Sequence, residues 1–205
     1  MSTATEAQRS FGPTALVTPA NALTMARLLC SPILVALVVT TGPATWLLAV
    51  LWVLASGSDG LDGWVARRMG ATRSGAFLDP LADKFLVLGA LMGLAGAGYF
   101  AWLPVSLIAL REVSMSLFRS FAARRGISIP ARPTAKAKTF LQDVVILLAL
   151  VPFIGLHAVG AVRDLLWVAV ALTLYTGLEY ARDGRRLLSD AAGDAALSEP
   201  AAGAG

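Results

Sequence analysis

Cysteine and charged residues are both scarce in this chain of 205 residues. The single cysteine, Cys30, excludes an intramolecular disulfide and gives no information about the redox compartment. Only 15% of the residues are charged and 57% are hydrophobic, and the mean hydropathy is +0.70. These proportions exclude an ordinary soluble domain and are typical of a protein that crosses a membrane several times.

The small positive charge of the chain does not indicate a nucleic-acid partner. The formal net charge is +4, but the basic residues lie in short segments between apolar runs. Membrane topology explains that distribution better, so we expect no nucleic-acid binding. The only histidine, His157, falls in a predicted outer loop, and we assign it no role.

Six apolar segments of membrane-spanning length follow a polar lead-in of residues 1–20. A helix needs about 20 residues to cross a bilayer, and turn signals rich in glycine and proline separate the segments. We therefore predict an all-α integral membrane protein, with one domain of six transmembrane helices over residues 21–186. The Ala/Gly/Asp-rich tail, residues 187–205, is predicted to be disordered. The predicted spans are residues 22–40, 44–68, 77–97, 102–124, 137–155 and 160–181.

Basic residues gather at one set of span ends, and the other set holds only Arg163. Because lysine and arginine are enriched in cytoplasmic loops, both termini are predicted to face the cytoplasm. We expect a multi-pass protein of the cell membrane. The basic set comprises Arg9, Arg67, Arg68, Arg73, Arg124, Arg125, Arg132, Lys136, Lys138, Arg182, Arg185 and Arg186.

Four aspartates interrupt the apolar pattern between residues 59 and 83. On helices, Asp59 and Asp62 share one face, and Asp79 and Asp83 share a face of the next helix. Burial of one acid in hydrocarbon costs roughly 2.5–3.5 kcal/mol, so four acids require compensation, which divalent cations provide. Hard oxygen ligands favour Mg²⁺, Mn²⁺ or Ca²⁺ over zinc. The pattern predicts a metal site at the cytoplasmic leaflet; the alternative is a solvated helix end with scattered acids.

The same stretch resembles the signature of the CDP-alcohol phosphatidyltransferase family. That signature reads Asp-x-x-Asp-Gly-x-x-Ala-Arg, then, after a spacer, Gly-x-x-x-Asp-x-x-x-Asp; the spacer here is one residue shorter than usual. The resemblance implies metal-dependent transfer from a CDP-activated lipid, with Mg²⁺ or Mn²⁺ as cofactor, and a homodimer. The matching residues are Asp59, Asp62, Gly63, Ala66, Arg67, Gly75, Asp79 and Asp83.

The resemblance also implies roles for individual residues. The four aspartates are the expected metal ligands, and Asp83 is also the expected catalytic base. Asn21, Thr24 and Arg27 resemble the Asn-x-x-Thr-x-x-Arg opening of the family, although helix capping and interfacial anchoring are alternatives. The expected contacts to the CDP-lipid are Asn21, Thr24, Arg27, Asp62, Gly63, Arg67, Arg73 and Gly75. Close helix packing is the alternative for the glycines.

Further charges lie inside the fourth span and at the start of the fifth. Charges inside a span usually face a cavity or a partner, and an excess of cations suits a phosphorylated acceptor because guanidinium binds phosphate in a bidentate way. We predict that Arg111, Arg119 and Lys138 bind the acceptor. A purely structural pairing of Arg111 with Glu112 is the alternative.

One branch of the family, which makes phosphatidylglycerophosphate, is resembled in two places. The first is residues 75–84, and the second is the Arg-Glu pattern of the fourth span followed by the Lys-x-Lys-Thr pattern of the fifth. This implies transfer of a phosphatidyl group from CDP-diacylglycerol to glycerol 3-phosphate, with release of CMP. Inositol phosphate, or phosphatidylglycerol as in a cardiolipin synthase, are alternative acceptors. An intramembrane prenyltransferase fits less well because its acidic motifs lie in two separated repeats. A cation transporter is the alternative from another class, but neither paired repeats nor broken helices are visible.

Overall fold

The computed structural model describes residues 19–69, 73–124 and 133–198, and these ranges contain helices and turns but no strand. The predicted all-helical class is therefore confirmed for this part of the chain. Its seven helices are α1 (Pro19–Thr41), α2 (Trp46–Met69), α3 (Arg73–Gly96), α4 (Trp102–Arg124), α5 (Pro133–Leu150), α6 (Pro152–His157) and α7 (Val159–Ser198). Residues 1–18 of the predicted lead-in lie outside the described residues.

The first four predicted spans correspond to α1 to α4, with differences of a few residues at their ends. The fifth does not run to residue 155, because α5 ends at Leu150. Val151 has extended backbone angles, φ −71° and ψ 119°, as expected for a residue that precedes proline. Pro152 then begins α6, which folds back so closely that a Cβ on Gly155 would lie 2.3 Å from the carbonyl oxygen of Ala149.

The last helix is longer than predicted. It begins at Val159 and continues to Ser198, through part of the tail that the composition predicts to be disordered. The structure differs from the prediction over residues 187–198. Alanine, the strongest helix former, recurs in this segment and outweighs its single glycine. Residues 199–205 lie outside the described part of the chain.

Two helices have windows that are long and apolar enough to cross a membrane, Thr24–Thr41 in α1 and Val159–Arg182 in α7, among the residues that the structure describes. A shorter apolar stretch, Trp46–Ser58, begins α2. The charged residues of α2, α3, α4 and α5 lower the mean hydropathy of those helices. The structure is consistent with a membrane protein, and the number of spans and the orientation of the termini stay predictions.

Close packing of α1 on α3 holds the centre of the bundle. Ser31 of α1 donates a hydrogen bond to the carbonyl oxygen of Phe85 at 2.9 Å. A Cβ on Gly89 of α3 would lie 2.6 Å from the hydroxyl of Ser31, and a Cβ on Gly93 would lie 3.4 Å from the Cα of Val35. Small residues at such positions let two helix backbones approach each other, as is common in membrane bundles.

Arg163 connects α7 to the turn between α3 and α4, at the end of the bundle that is predicted to face away from the cytoplasm. Its Nε donates a hydrogen bond to the carbonyl oxygen of Tyr99 at 2.8 Å. Tyr99 follows Gly98, whose φ of +77° turns the chain between α3 and α4. Asp83 of α3, Arg119 of α4 and Lys138 of α5 lie in the other half of their helices.

Candidate active site

The four aspartates of the predicted metal site lie in two consecutive helices. Asp59 and Asp62 are in the C-terminal part of α2, whereas Asp79 and Asp83 are in the N-terminal part of α3. Among these four side chains the structure describes only that of Asp83, which is half-buried. The convergence of the acids therefore stays a prediction. Also outside the described side chains are Asn21, Gly63, Ala66, Arg67, Arg73 and Gly75.

The first helix contacts α2 just before this acidic stretch. Arg27 is 2% exposed, and its Nη2 donates a hydrogen bond to the hydroxyl of Ser58 at 2.9 Å. Its Nε lies 3.2 Å from the carbonyl oxygen of Ala55, to which it also donates. The guanidinium of Arg27 thus binds the residue that directly precedes Asp59 in the sequence. Thr24, one turn earlier on α1, is fully buried.

A polar cavity of about 500 Å³ lies between α3, α4, α5 and α7. Five of its lining side chains are cationic and three are acidic, so positive charge prevails in it. It contains Asp83 together with all three residues predicted to bind the acceptor. The lining residues are Asp83, Lys84, Arg111, Glu112, Met115, Arg119, Lys136, Lys138, Thr139, Phe140, Asp143 and Tyr180.

Glu112 holds three of these cations together. Lys138 donates a hydrogen bond to its Oε1, and Arg111 donates from Nη1 to the same oxygen at 2.9 Å. The Nζ of Lys84 lies 3.9 Å from Oε2. Glu112 is 6% exposed and Lys138 4% exposed, so each buried charge has a partner of opposite sign. One carboxylate cannot neutralise three cations, and the cluster keeps a positive charge that an anionic ligand could complete.

Helix α7 supports this cluster from behind with fully buried hydroxyl groups. Arg111 donates from Nη2 to the Oγ1 of Thr176 at 3.0 Å. Thr176 in turn donates to the carbonyl oxygen of Thr173 at 3.0 Å, and Gln142 of α5 donates to the Oγ1 of Thr173 at 2.9 Å. These bonds join α4, α5 and α7 around the cavity.

The predicted acceptor residues differ in their surroundings. Arg111 and Lys138 both contact Glu112, so the predicted alternative of a structural Arg111–Glu112 pair is present in the structure. Arg119 is exposed and lines the cavity two turns farther along α4. All three side chains thus reach one space beside Asp83. That arrangement is suited to bind a phosphate group with guanidinium and ammonium donors.

A mainly apolar groove of about 670 Å³ adjoins the polar cavity, between α1, α3 and α4. Lys84 and Glu112 line both spaces. Leu81, Phe85 and Leu117 are among the apolar side chains of the groove. A charged site next to an apolar groove is suited to an amphipathic molecule, with its polar head in the cavity and its hydrocarbon in the groove.

Sequence reasoning did not assign site roles to Lys84, Tyr180 or Thr176. Lys84 follows Asp83 at the start of a long apolar run, and a charge in that position is itself a signal of a cavity. Tyr180 and Thr176 carry no such signal, because a tyrosine or threonine in an apolar helix is ordinarily a packing residue. Only the placement of α7 against α4 brings Tyr180 to the cavity and Thr176 to Arg111.

Comparison with known proteins gives consistent matches. Residues 17–175 match the family described as CDP-alcohol phosphatidyltransferase. The chain is 40% identical over 167 residues to a Mycobacterium tuberculosis (strain CDC 1551 / Oshkosh) protein named "Probable phosphatidylglycerophosphate synthase", with 78% of each chain covered. Two proteins named "CDP-diacylglycerol--glycerol-3-phosphate 3-phosphatidyltransferase" are also similar. The one from Rickettsia bellii (strain RML369-C) is 36% identical over 167 residues, which cover 78% of this chain and 91% of that protein. The one from Bacillus subtilis (strain 168) is 37% identical over 136 residues, which cover 64% of this chain and 70% of that protein.

Proposed function

The chain belongs to the CDP-alcohol phosphatidyltransferase family, and we propose that it transfers a phosphatidyl group from CDP-diacylglycerol to glycerol 3-phosphate and releases CMP. The names of its relatives support this reaction. The observation that carries it for this chain is the cation-rich cavity that Asp83 shares with Arg111, Arg119 and Lys138. A carboxylate beside clustered cations is what an attacking hydroxyl and an attached phosphate require.

We propose that Asp59, Asp62, Asp79 and Asp83 hold Mg²⁺ or Mn²⁺ at the donor side. Carboxylates are the ligands these cations prefer, and Asp83 faces the cavity where the acceptor would bind. The bound cation would neutralise the pyrophosphate and polarise the phosphorus for attack. The remaining CDP-lipid contacts are proposed for Asn21, Thr24, Arg27, Gly63, Arg67, Arg73 and Gly75. The apolar groove beside Lys84 has room for an acyl chain of the lipid.

In the proposed reaction, Asp83 accepts the proton of the acceptor hydroxyl. A bond forms from that oxygen to the phosphorus that carries the diacylglycerol, and the bond from this phosphorus to the pyrophosphate bridge breaks. CMP then leaves. Arg111, Arg119 and Lys138 bind the phosphate of glycerol 3-phosphate and orient its hydroxyl toward Asp83, because positioning accounts for much of the rate enhancement in phosphoryl transfer.

We place the enzyme in the cell membrane with six spans and both termini in the cytoplasm, so that the site opens at the cytoplasmic leaflet. The concentration of basic residues at that end supports this orientation. We also propose a homodimer, in line with the family resemblance.

The experiment measures CMP release by the purified protein with CDP-diacylglycerol and a panel of acceptors. We expect turnover with glycerol 3-phosphate in the presence of Mg²⁺ or Mn²⁺, and none after EDTA. Inositol phosphate and phosphatidylglycerol test the alternative acceptors. Turnover that persists after exhaustive chelation contradicts the metal site, and a clear preference for another acceptor contradicts the glycerol 3-phosphate assignment.

A further inference from the structure

The guanidinium of Arg111 is held from two sides by different helices. Its Nη1 donates to Glu112 at 2.9 Å, and Glu112 is the next residue of the same helix, α4. Its Nη2 donates to Thr176 of α7 at 3.0 Å. Each terminal nitrogen carries a second N–H group, which these two bonds leave for a ligand.

The residues of α7 around this contact restrict the orientation of the Thr176 hydroxyl and the position of the Arg111 side chain. Thr176 is fully buried, and its own hydroxyl proton goes to the carbonyl oxygen of Thr173 at 3.0 Å. The Thr176 oxygen is therefore oriented to accept from Arg111. The next residue, Gly177, leaves the space that Arg111 crosses, because a Cβ there would lie 3.2 Å from Nε.

We propose that Thr176 is a positioning residue for the acceptor phosphate and that it acts through Arg111. Glu112 alone would hold the guanidinium at one nitrogen and let it turn toward the carboxylates of the cavity. The second contact, to Thr176, fixes the plane of the guanidinium. A planar fork binds phosphate in a bidentate way more tightly when its plane is already fixed, so the Thr176 contact contributes to acceptor affinity without touching the acceptor.

This inference extends the proposed function. The inference rests on the proposed role of Arg111, so the experiment has to separate the two.

The test measures the KM for glycerol 3-phosphate, the KM for CDP-diacylglycerol and kcat in Thr176→Val and Thr176→Ser. Valine keeps the shape of threonine and removes the acceptor oxygen. We expect Thr176→Val to raise the acceptor KM about five- to tenfold, the effect of one lost hydrogen bond, with the CDP-diacylglycerol KM unchanged. Thr176→Ser keeps the oxygen and should restore the acceptor KM to within about twofold of the original.

The matched control is Thr173→Val, which removes the hydrogen bond from Gln142 in the same buried helix face but leaves the carbonyl oxygen that Thr176 uses. It should lower stability as much as Thr176→Val while leaving the acceptor KM unchanged. An equal rise of the acceptor KM in both variants would show a general packing effect and overturn the proposal. If Thr176→Val does not fold, Gly177→Ala keeps the proposal testable, because its Cβ would lie 3.2 Å from the Nε of Arg111 and would push the guanidinium a few tenths of an ångström out of its position against Thr176. We then expect a raised acceptor KM, and an unchanged one would overturn the proposal.

A double-mutant cycle with Arg111→Gln completes the test. If Thr176 acts through Arg111, Thr176→Val should add nothing to the acceptor KM of Arg111→Gln. Independent, additive effects would overturn the inference. If Arg111→Gln raises the acceptor KM and Thr176→Val does not, the inference alone fails. If Arg111→Gln has no effect on that KM, the proposed role of Arg111 fails as well.

Discussion

At the scale of single residues, Glu112 decides how the cations of the cavity are arranged. Its carboxylate accepts from Lys138 and Arg111, and Lys84 lies 3.9 Å from its second oxygen. Without this carboxylate, three positive charges would repel each other in a largely buried space. With it, Arg111 and Lys138 are held in place while net positive charge remains for a ligand. A structural ion pair and an anion site are therefore compatible in the same cluster.

The aspartates of the proposed metal site are the first residues to test. Asp59→Asn, Asp62→Asn, Asp79→Asn and Asp83→Asn should each abolish CMP release, because an amide keeps the shape of the side chain but loses its charge. Thermal unfolding in detergent should stay close to that of the unmodified protein. Asp164→Asn, at the other end of the bundle, is the matched control and should retain activity. Near-normal turnover in two or more of the four variants would rule out the metal site.

The acceptor cations come second. Arg111→Gln, Arg119→Gln or Lys138→Gln should raise the KM for glycerol 3-phosphate about ten- to a hundredfold, because one charge-assisted contact contributes about 1.5–3 kcal/mol. The KM for CDP-diacylglycerol should change far less. Arg111→Lys and Arg119→Lys should restore binding only in part, since a point charge replaces a planar fork.

Arg163→Gln is the control for these cation variants. It removes a positive charge from the opposite end of the bundle, and both KM values should be unchanged. Because Arg163 donates a hydrogen bond to the carbonyl oxygen of Tyr99, the thermal stability of the Arg163→Gln variant has to be measured in parallel. If none of the three cavity variants alters the acceptor KM, a lipid acceptor such as phosphatidylglycerol becomes the better assignment.

At the scale of helices, the break between α5 and α6 is the element that the span prediction missed. Pro152 ends the helical hydrogen-bonding pattern, and Gly155 lets α6 fold against the end of α5. Gly155→Ala should therefore destabilise the protein by about 1–3 kcal/mol, as overpacking of a tight contact does. The Cβ would lie 2.3 Å from a backbone oxygen of Ala149, which cannot rotate away.

Gly160→Ala is the matched control for this glycine substitution. Gly160 lies in the first turn of α7, and among the described residues no atom outside its chain neighbours and its own helix backbone lies within 4 Å of its ideal Cβ position. Alanine there should leave stability unchanged or raise it slightly, because alanine favours helix. Unfolding temperatures in detergent provide the comparison. Equal behaviour of the two alanine variants would contradict the close packing of α6 on α5.

At the scale of the whole molecule, the predicted orientation can be tested because the basic span ends and the nearly uncharged span ends lie at opposite ends of the helices. A variant with Cys30→Ser provides a background for single cysteines, which a membrane-impermeant thiol reagent can label. His157→Cys should be labelled in intact cells, whereas Arg182→Cys should be labelled only after permeabilisation. Both residues are exposed in the structure. The reverse pattern would invert the predicted orientation and move the cavity to the outer leaflet.

The sequence by itself determined the features that depend on local spacing. Apolar length indicated the helices, and four of the six predicted spans agree closely with α1 to α4. The fixed intervals from Asp59 to Asp83 indicated the family, which the match over residues 17–175 confirms. The helix predictions succeed because helical periodicity relates residues a few positions apart, and the family assignment succeeds because the residues of the resembled signature stand at fixed intervals. Neither needs knowledge of the packing.

The tertiary structure alone decided which distant residues meet. Arg111 was recognised as a charge inside a span, and pairing with its neighbour Glu112 was one predicted alternative. Its second partner, Thr176, lies on α7 and could not be found from the sequence. Lys84 and Tyr180 reach the same cavity from α3 and α7. Such meetings depend on the relative rotation and register of packed helices. Those are determined by contacts along the whole length of each helix, such as Gly89 and Gly93 against α1, and no short motif encodes them.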